Sequence, residues 1–234
     1  MQEPSLPLDE TQRLLSLHSL RLLDTPDEER FDRVTRMARR MFGVDTCLVS
    51  LVDGNRQWFK SKTGLDACET GRDISFCGHA ILTDQVFIVE DTLQDERFAD
   101  NPLVTGPPNI RFYAGVPIKS PDGQRIGTLC LIHPEPRQLT ADEQLTLEDL
   151  GHMVEDEIRI SSEAVIDELT KVANRRGFHM FANQTLAVCR RTGPPADVAC
   201  FDLEGCKDIN ATIGRAAGDD REQVARPVGA CRTP

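Results

Sequence analysis

The sequence of 234 residues has no surplus of positive charge, no long apolar run and no cysteines in Cys-x-x-Cys spacing. Its 27 Lys and Arg stand against 38 Asp and Glu, a formal net charge of -11. That balance argues against tracking nucleic acid or anionic lipid by electrostatics, and leaves small molecules or other proteins as partners. No apolar segment approaches the roughly 20 residues needed to cross a bilayer, and the first thirty residues are heavily charged. Neither a signal peptide nor a membrane helix is expected, and the chain is predicted to be cytoplasmic. Cys47, Cys68, Cys77, Cys130, Cys189, Cys200, Cys206 and Cys231 lack paired spacing, and four of them (Cys47, Cys77, Cys130, Cys200) lie in apolar or strand-like runs. Reduced, mostly buried thiols are predicted, rather than a disulfide framework or a zinc site.

What is present centres on residues 110–133, IRFYAGVPIKSPDGQRIGTLCLIH, where two apolar runs flank a Pro-Asp-Gly turn. The pair predicts a β-hairpin at the centre of a sheet covered on both faces. With 39% hydrophobic residues, the length suits one full domain plus part of another, since single cores usually serve about 100 to 200 residues.

Before the hairpin, Asp9 with Gln12 forms a capping-box pattern that opens a helix to about Leu23. Thr25, Pro26 and Glu28 predict a second helix ending at Gly43, with Phe31, Val34, Ala38 and Met41 as its buried stripe. Thr46–Val52 and Arg56–Lys62 read as strands around an Asp-Gly-Asn turn, Ser75 as the cap of a short helix to Ile81, and Val86–Val89 as another strand. Residues 90–108 read as a long loop with one short helix, a candidate lid. Thr140 and Glu143 then open a helix with no breaker until Gly177. Its stripe of Leu147, Leu150, Val154, Ile158, Val165 and Leu169 allows either packing on its own domain or a signalling helix paired with a second copy. The N-terminal helix, whose leucines cover more than one face, allows the same two arrangements, so a homodimer through these helices is one expectation.

The phrases LVSLVDGNRQWFKSKTGL, DISFCGHAI, DERFADNPLVTGPPNIRFYAGVPI and GTLCLI resemble the GAF family of small sensory domains, over about residues 10–160. The fold class this implies is α+β: a GAF-type antiparallel sheet flanked by helices, then a long connector helix. Residues 1–160 are assigned to this domain and 161–234 to a second region. The resemblance implies a small-molecule ligand of unknown identity and no particular cofactor. Such a ligand would sit between sheet and lid, with Trp58, Phe76, Phe98, Phe112 and Tyr113 as wall candidates and His79, Asp91, Arg97 and Arg111 as polar contacts. Phe76 and Phe112 also read as simple core, and Arg97 as the partner of Asp91, Asp95 or Asp100. Cys77 and His79 form a Cys-x-His pair near a helix start, but on a helix their side chains diverge, which does not favour a metal. Some GAF proteins reduce free methionine sulfoxide through a cysteine in a phrase similar to FCGHA, so a Cys77-dependent reductase is one alternative.

Residues 167–178, DELTKVANRRGF, resemble the opening of the GGDEF family of diguanylate cyclases, D-x-L-T-G-L-x-N-R-R-x-F, with Lys171-Val172 in place of Gly-Leu. Residues 201–219, FDLEGCKDINATIGRAAGD, are similar to that family's metal- and guanine-binding strand-turn-helix. Asp202 stands at the metal-holding position and Asn210 at a guanine-reading one, while Ala211 replaces the second guanine-reading Asp. No Gly-Gly-Asp-Glu-Phe run comes after them. Phosphoryl transfer depends on positioned metals and phosphate clamps, so a catalytically inactive, incomplete α/β GGDEF-like fragment is expected, with Asp202 and Asn210 as vestiges. A diguanylate cyclase completed by a second chain is the other alternative. The last 21 residues contain no Leu, Ile or Phe, and 13 of them are Gly, Ala, Arg or Pro. They are expected to be disordered, a pattern that fits a cyclase gene cut short by frameshift or premature stop.

Overall fold

The computed structural model describes residues 1–163, 167, 169, 170, 172–193 and 197. The chain divides into two units, Met1–Ser161 and Ser162–Pro234.

The first unit opens with helices α1 (Glu10–Leu20) and α2 (Glu29–Phe42). Next come strands β1 (Thr46–Val52), β2 (Arg56–Thr63) and β3 (Glu69–Gly71), then a single turn of helix, α3 (Phe76–Ala80), strand β4 (Phe87–Val89) and α4 (Pro102–Thr105). Strands β5 (Phe112–Lys119) and β6 (Arg125–His133) and helix α5 (Ala141–Glu163) complete it. The strands form one sheet in the order β3-β2-β1-β6-β5-β4, antiparallel throughout. The predicted hairpin is β5–β6, and its centrality is shared: β6 lies beside β1 at the middle, and β5 one place further out. Every residue of β1 is buried, as expected of a strand covered on both faces.

Alternation along β1 and β6 feeds two layers. Cys47, Val49 and Leu51 of β1, with Leu129 and Leu131 of β6, join Phe31, Val34, Ala38 and Phe42 of α2 and Leu147, Leu150, Val154 and Ile158 of α5 in one apolar core. Leu48, Val52 and Cys130 face the other way, into a layer with Phe76, Cys77 and Ile81 around α3, Phe98 and Val104 of the 90–108 loop, and Tyr113. Gly127 marks how closely the central strands approach: a Cβ there would lie 1.9 Å from the carbonyl oxygen of Ser50.

Several local expectations change. Helix α1 ends three residues early because Arg21 takes a left-handed conformation (φ 51°), and the Asp9 side chain makes no cap bond. Helix α2 begins at Glu29 rather than at Pro26. Thr25 and Glu28 are instead bound to the buried Lys60 ammonium of β2, Thr25 Oγ1 at 2.7 Å and Glu28 Oε1 at 2.6 Å, which outcompetes the capping geometry. Met41 is 58% exposed, and Phe42 takes its place in the core. The short strand β3 pairs with Arg56–Trp58, a pairing with no local sequence signal. The unbroken helix to Gly177 does not form. Helix α5 ends at Glu163, with its stripe from Leu147 to Ile158 buried in its own domain and Leu145, Met153 and Ile160 exposed.

In the second unit, the Asp167 carboxylate accepts hydrogen bonds from the amide (2.9 Å) and hydroxyl (2.8 Å) of Thr170. Helix α6 (Arg175–Thr192) is capped by the Asn174 side chain, which accepts from the Gly177 amide at 3.0 Å. Asp167, Thr170 and Asn174 of the DELTKVANRRGF phrase are thus turn and cap residues. Asp202, Asn210, Val198–Phe201 and the C-terminal tail lie outside the described residues.

One buried ionic knot ties α1 to the sheet. The Arg13 side chain, 1% exposed, donates to the Val52 carbonyl at 2.6 Å and to Glu10 at 2.7 Å and 2.8 Å. Arg72 donates to Glu10 Oε1 at 2.5 Å and to the Asp53 carbonyl at 3.0 Å. Burial pushes the Glu10 carboxyl up, but the hydrogen bonds and charges of Arg13 and Arg72 outweigh it and hold it at about 2. A carboxyl acidified by folding stabilises the native state above its unfolded value of 4.5, and that contribution is lost as pH falls toward 2. Glu10→Gln should therefore lower stability at neutral pH by about 2–3 kcal/mol, because two buried guanidiniums lose their counter-charge. Urea titrations of both proteins should show the gap closing as the pH is lowered from 5 toward 2.

Candidate functional site

A cavity of about 360 Å³ opens on the α3 side of the sheet. Leu48, Phe59, Phe76, Ile110, Tyr113 and Ile132 supply most of its apolar wall, residues 64–67 and the Pro107-Pro108 step its rim, and Gln57, Thr70 and Cys77 its polar groups. Among the described residues no Lys, Arg or His lines it, and Asp66 is its one carboxylate.

The α3 turn positions this wall. Ser75 caps it by accepting from the Gly78 amide at 2.9 Å, and its hydroxyl donates to the Gln57 side chain. Phe76 is stacked between Phe98 (centroids 4.2 Å apart) and Tyr113 (5.1 Å). The loop over residues 90–108 is held down by Thr92, whose hydroxyl donates to the Ile110 carbonyl at 2.7 Å, and by Asn101, which donates to the Ile74 carbonyl at 3.0 Å.

Beneath Phe76, Cys77 points into the sheet. Its thiol lies 3.8 Å from Cys130 Sγ, and the Tyr113 hydroxyl donates to Cys77 Sγ at 3.3 Å. Burial pushes the Cys77 thiol up, but the facing Cys130 thiol and the nearby hydroxyls of Thr128, Tyr113 and Ser50 more than offset it and lower it. The same pairing, with burial, pushes Cys130 well up, and burial does so for Tyr113. Neutral hydroxyls and a second thiol therefore take the part that a cation usually plays at an acidic cysteine.

The expected site residues separate into three groups. Cys77, Tyr113 and Phe76 line the cavity. Phe98 supports it from behind, and His79 turns away, bonded to the Gln2 carbonyl at 3.1 Å and set edge-on against Phe98. Cys77 and His79 thus diverge. The others are corrected by the structure. Trp58 and Phe112 belong to the opposite core, because their strand parity turns them toward α2 and α5. Arg97 is held by Asp95 at 2.6 Å and lies over Phe87 and Phe98. Arg111 donates to the carbonyls of Val104 and Ile110 at 2.9 and 3.0 Å, bracing the loop. Asp91 accepts from the Leu93 amide at 3.0 Å.

The family model of the GAF domain matches residues 27–158, more than half of the chain. The chain belongs to the GAF family. A second model, the diguanylate cyclase GGDEF domain, matches residues 164–224, as a partial domain. Among curated relatives, a cyclic di-GMP phosphodiesterase of Pseudomonas aeruginosa is 40% identical over 177 residues, 75% of this chain and 30% of that protein. The diguanylate cyclase DgcP of Escherichia coli is 27% identical over 161 residues, 63% of this chain and 46% of that one. The chain therefore spans less than half the length of either relative. Solved structures similar to it include a free methionine-R-sulfoxide reductase from Neisseria meningitidis (TM-score 0.49, 19% identity, 70% of this chain and 100% of that one). Another is the GAF domain of an Acinetobacter phosphoenolpyruvate-protein phosphotransferase (TM-score 0.48, 16% identity, 65% and 96%).

In this GAF domain the sequence points to Cys77 and Tyr113 but not to Leu48, Gln57, Phe59 or Cys130. The registers that set Leu48 opposite Cys130 on β6 and Ser50 and Val52 opposite Phe59 and Gln57 on β2 reveal them. The arrangement predicts a contrast between neighbours. Phe98→Ala, which removes the ring under Phe76, should cost about 3–5 kcal/mol, whereas Arg97→Ala, losing an exposed pair, should cost about 1 kcal/mol or less. Equilibrium unfolding in urea checks both.

Proposed function

We propose that this chain is a cytoplasmic signal-transduction protein in which the GAF domain senses a small molecule that is neutral or cationic. The observation that carries this reading is the cavity lining, which offers apolar and aromatic walls, a few hydroxyl and amide groups and one carboxylate, with no basic side chain among the described residues. A phosphate or carboxylate ligand would lose its water there without gaining a counter-charge, at a cost of several kcal/mol. Cyclic nucleotides and other anions are thereby disfavoured, and compact, largely apolar molecules fit. Melting curves with indole and with cyclic GMP test it: indole at millimolar concentration should raise the melting temperature and cyclic GMP should not. Stabilisation by the nucleotide alone would reverse the assignment.

The second half of the reading concerns output. Both curated relatives are named for cyclic di-GMP turnover, which supports a place for this chain in that signalling. We assign its GGDEF-like region a non-catalytic part. These 234 residues contain no Gly-Gly-Asp-Glu-Phe run, and Ala211 stands where the family reads guanine with Asp. The purified chain incubated with GTP and magnesium should form no cyclic di-GMP. Product formation would favour the cyclase alternative, in which two chains complete one site.

A further inference from the structure

The layer beneath α3 gathers five polar side chains in a place otherwise built for apolar packing. Cys77 of α3 and Cys130 of β6 stand with their sulfurs 3.8 Å apart. Around them are the hydroxyls of Tyr113, Ser50 and Thr128, all at 1% exposure or less. Ser50 and Thr128 face each other across the two central strands, and neither hydroxyl is within hydrogen-bond geometry of a partner. Burying a hydroxyl without a hydrogen-bond partner is destabilising. That cost is explained if they have a charged state to serve, and both act on Cys77.

Access is unequal. Cys77 lines the cavity, whereas Cys130 lies behind it, fully buried and outside the lining. Cys47, on the opposite face of β1, is fully buried as well, and burial pushes its thiol up. One thiol is therefore reachable and acidified, a second sits at its back, and a third serves as an inert internal reference.

We propose that Cys77 and Cys130 form a two-electron thiol couple, in which Cys77 reacts with a hydroperoxide entering through the cavity and Cys130 resolves the product to a disulfide. In the first step the Cys77 thiolate attacks the terminal peroxide oxygen. An S–O bond forms, the O–O bond breaks, and hydroxide (or alkoxide) leaves and takes up a proton. In the second step the Cys130 sulfur attacks the Cys77 sulfenic acid. The S–S bond forms, the S–O bond breaks, and the hydroxyl departs with the Cys130 proton as water. In sum, two thiols give up two electrons and two protons, and hydrogen peroxide becomes two waters. A disulfide needs the sulfurs at about 2.05 Å, so the couple closes by a shift of the Cys77 side chain, with the α3 turn, toward β6. That movement carries Phe76 and the Ser75 cap with it and reshapes the cavity wall. The couple depends on the cavity as an entry path and not on what else the cavity holds.

Peptide mapping of the full chain tests this. The reduced protein is exposed to a small excess of hydrogen peroxide, quenched in denaturant with iodoacetamide, digested and read by tandem mass spectrometry. A Cys77–Cys130 linked peptide should appear while Cys47 remains alkylated. Tyr113→Phe, which removes a donor to the thiolate, should slow its formation several-fold, and Cys130→Ser should leave a Cys77 sulfenic acid that dimedone captures. Recovery of both thiols as alkylated after peroxide has oxidised the exposed Cys68 would overturn the proposal, as would Cys77 oxidised to sulfinic acid without linkage in the unsubstituted protein. The wild-type map decides even where a variant fails to fold.

Discussion

The ladder between β1 and β6 is the constraint on which the rest of this domain depends. Six residue pairs run from Thr46–Ile132 to Leu51–Gly127, in strands so close that only glycine fits opposite Ser50 and Leu51 at the end of the run. Because side chains alternate strictly along a strand, this single register decides which residues meet on each face. One face receives Cys47, Val49, Leu51, Leu129 and Leu131, and welds α2 and α5 to the sheet. The other receives Leu48, Ser50, Thr128 and Cys130, and makes a cavity floor that is partly polar. A slip of one residue would exchange the two sets, placing hydroxyls in the apolar core and leucines beneath α3.

The two faces divide the labour. The α2–α5 face is apolar and closed, so its energy comes from burial at about 25 cal/mol per Å² and it has little reason to bind anything. The α3 face is covered by a single helical turn and a long loop, fastened by Asn101, Thr92 and Arg111 through bonds to backbone carbonyls. A cover built of short elements, pinned at a few points, leaves room for a cavity where a long helix would have filled it. The charged residues Asp91, Asp95 and Arg97 of this loop pair within the loop itself and do not line the cavity.

Element types in the first 160 residues are largely legible, since helical and strand periodicities, the Pro-Asp-Gly turn and the Ser75 cap are local signals. Boundaries fail where a distant partner intervenes. The ammonium of Lys60, thirty-odd residues downstream, takes Thr25 and Glu28 away from the start of α2. The connector helix fails as a continuous element because Asp167 and Asn174 satisfy turn and cap amides that a helix would otherwise have used. Of the residues expected near the start of α3 or between sheet and lid, Cys77, Phe76 and Tyr113 line the cavity. Arg97 and Arg111 are misplaced by sequence reasoning because a cation in a loop looks the same in sequence whether it faces a ligand or a carbonyl.

By itself the sequence determined the family, the sheet-forming segments, the negative charge and the departures at positions such as Ala211, because each of these is written in adjacent residues or in composition. Only the tertiary structure decided which side chains share the cavity, that no basic group among the described residues lines it, and that Cys77 meets Cys130. Those facts follow from strand register, settled by pairs more than seventy positions apart, and from the path of a loop pinned by contacts up to 27 positions apart.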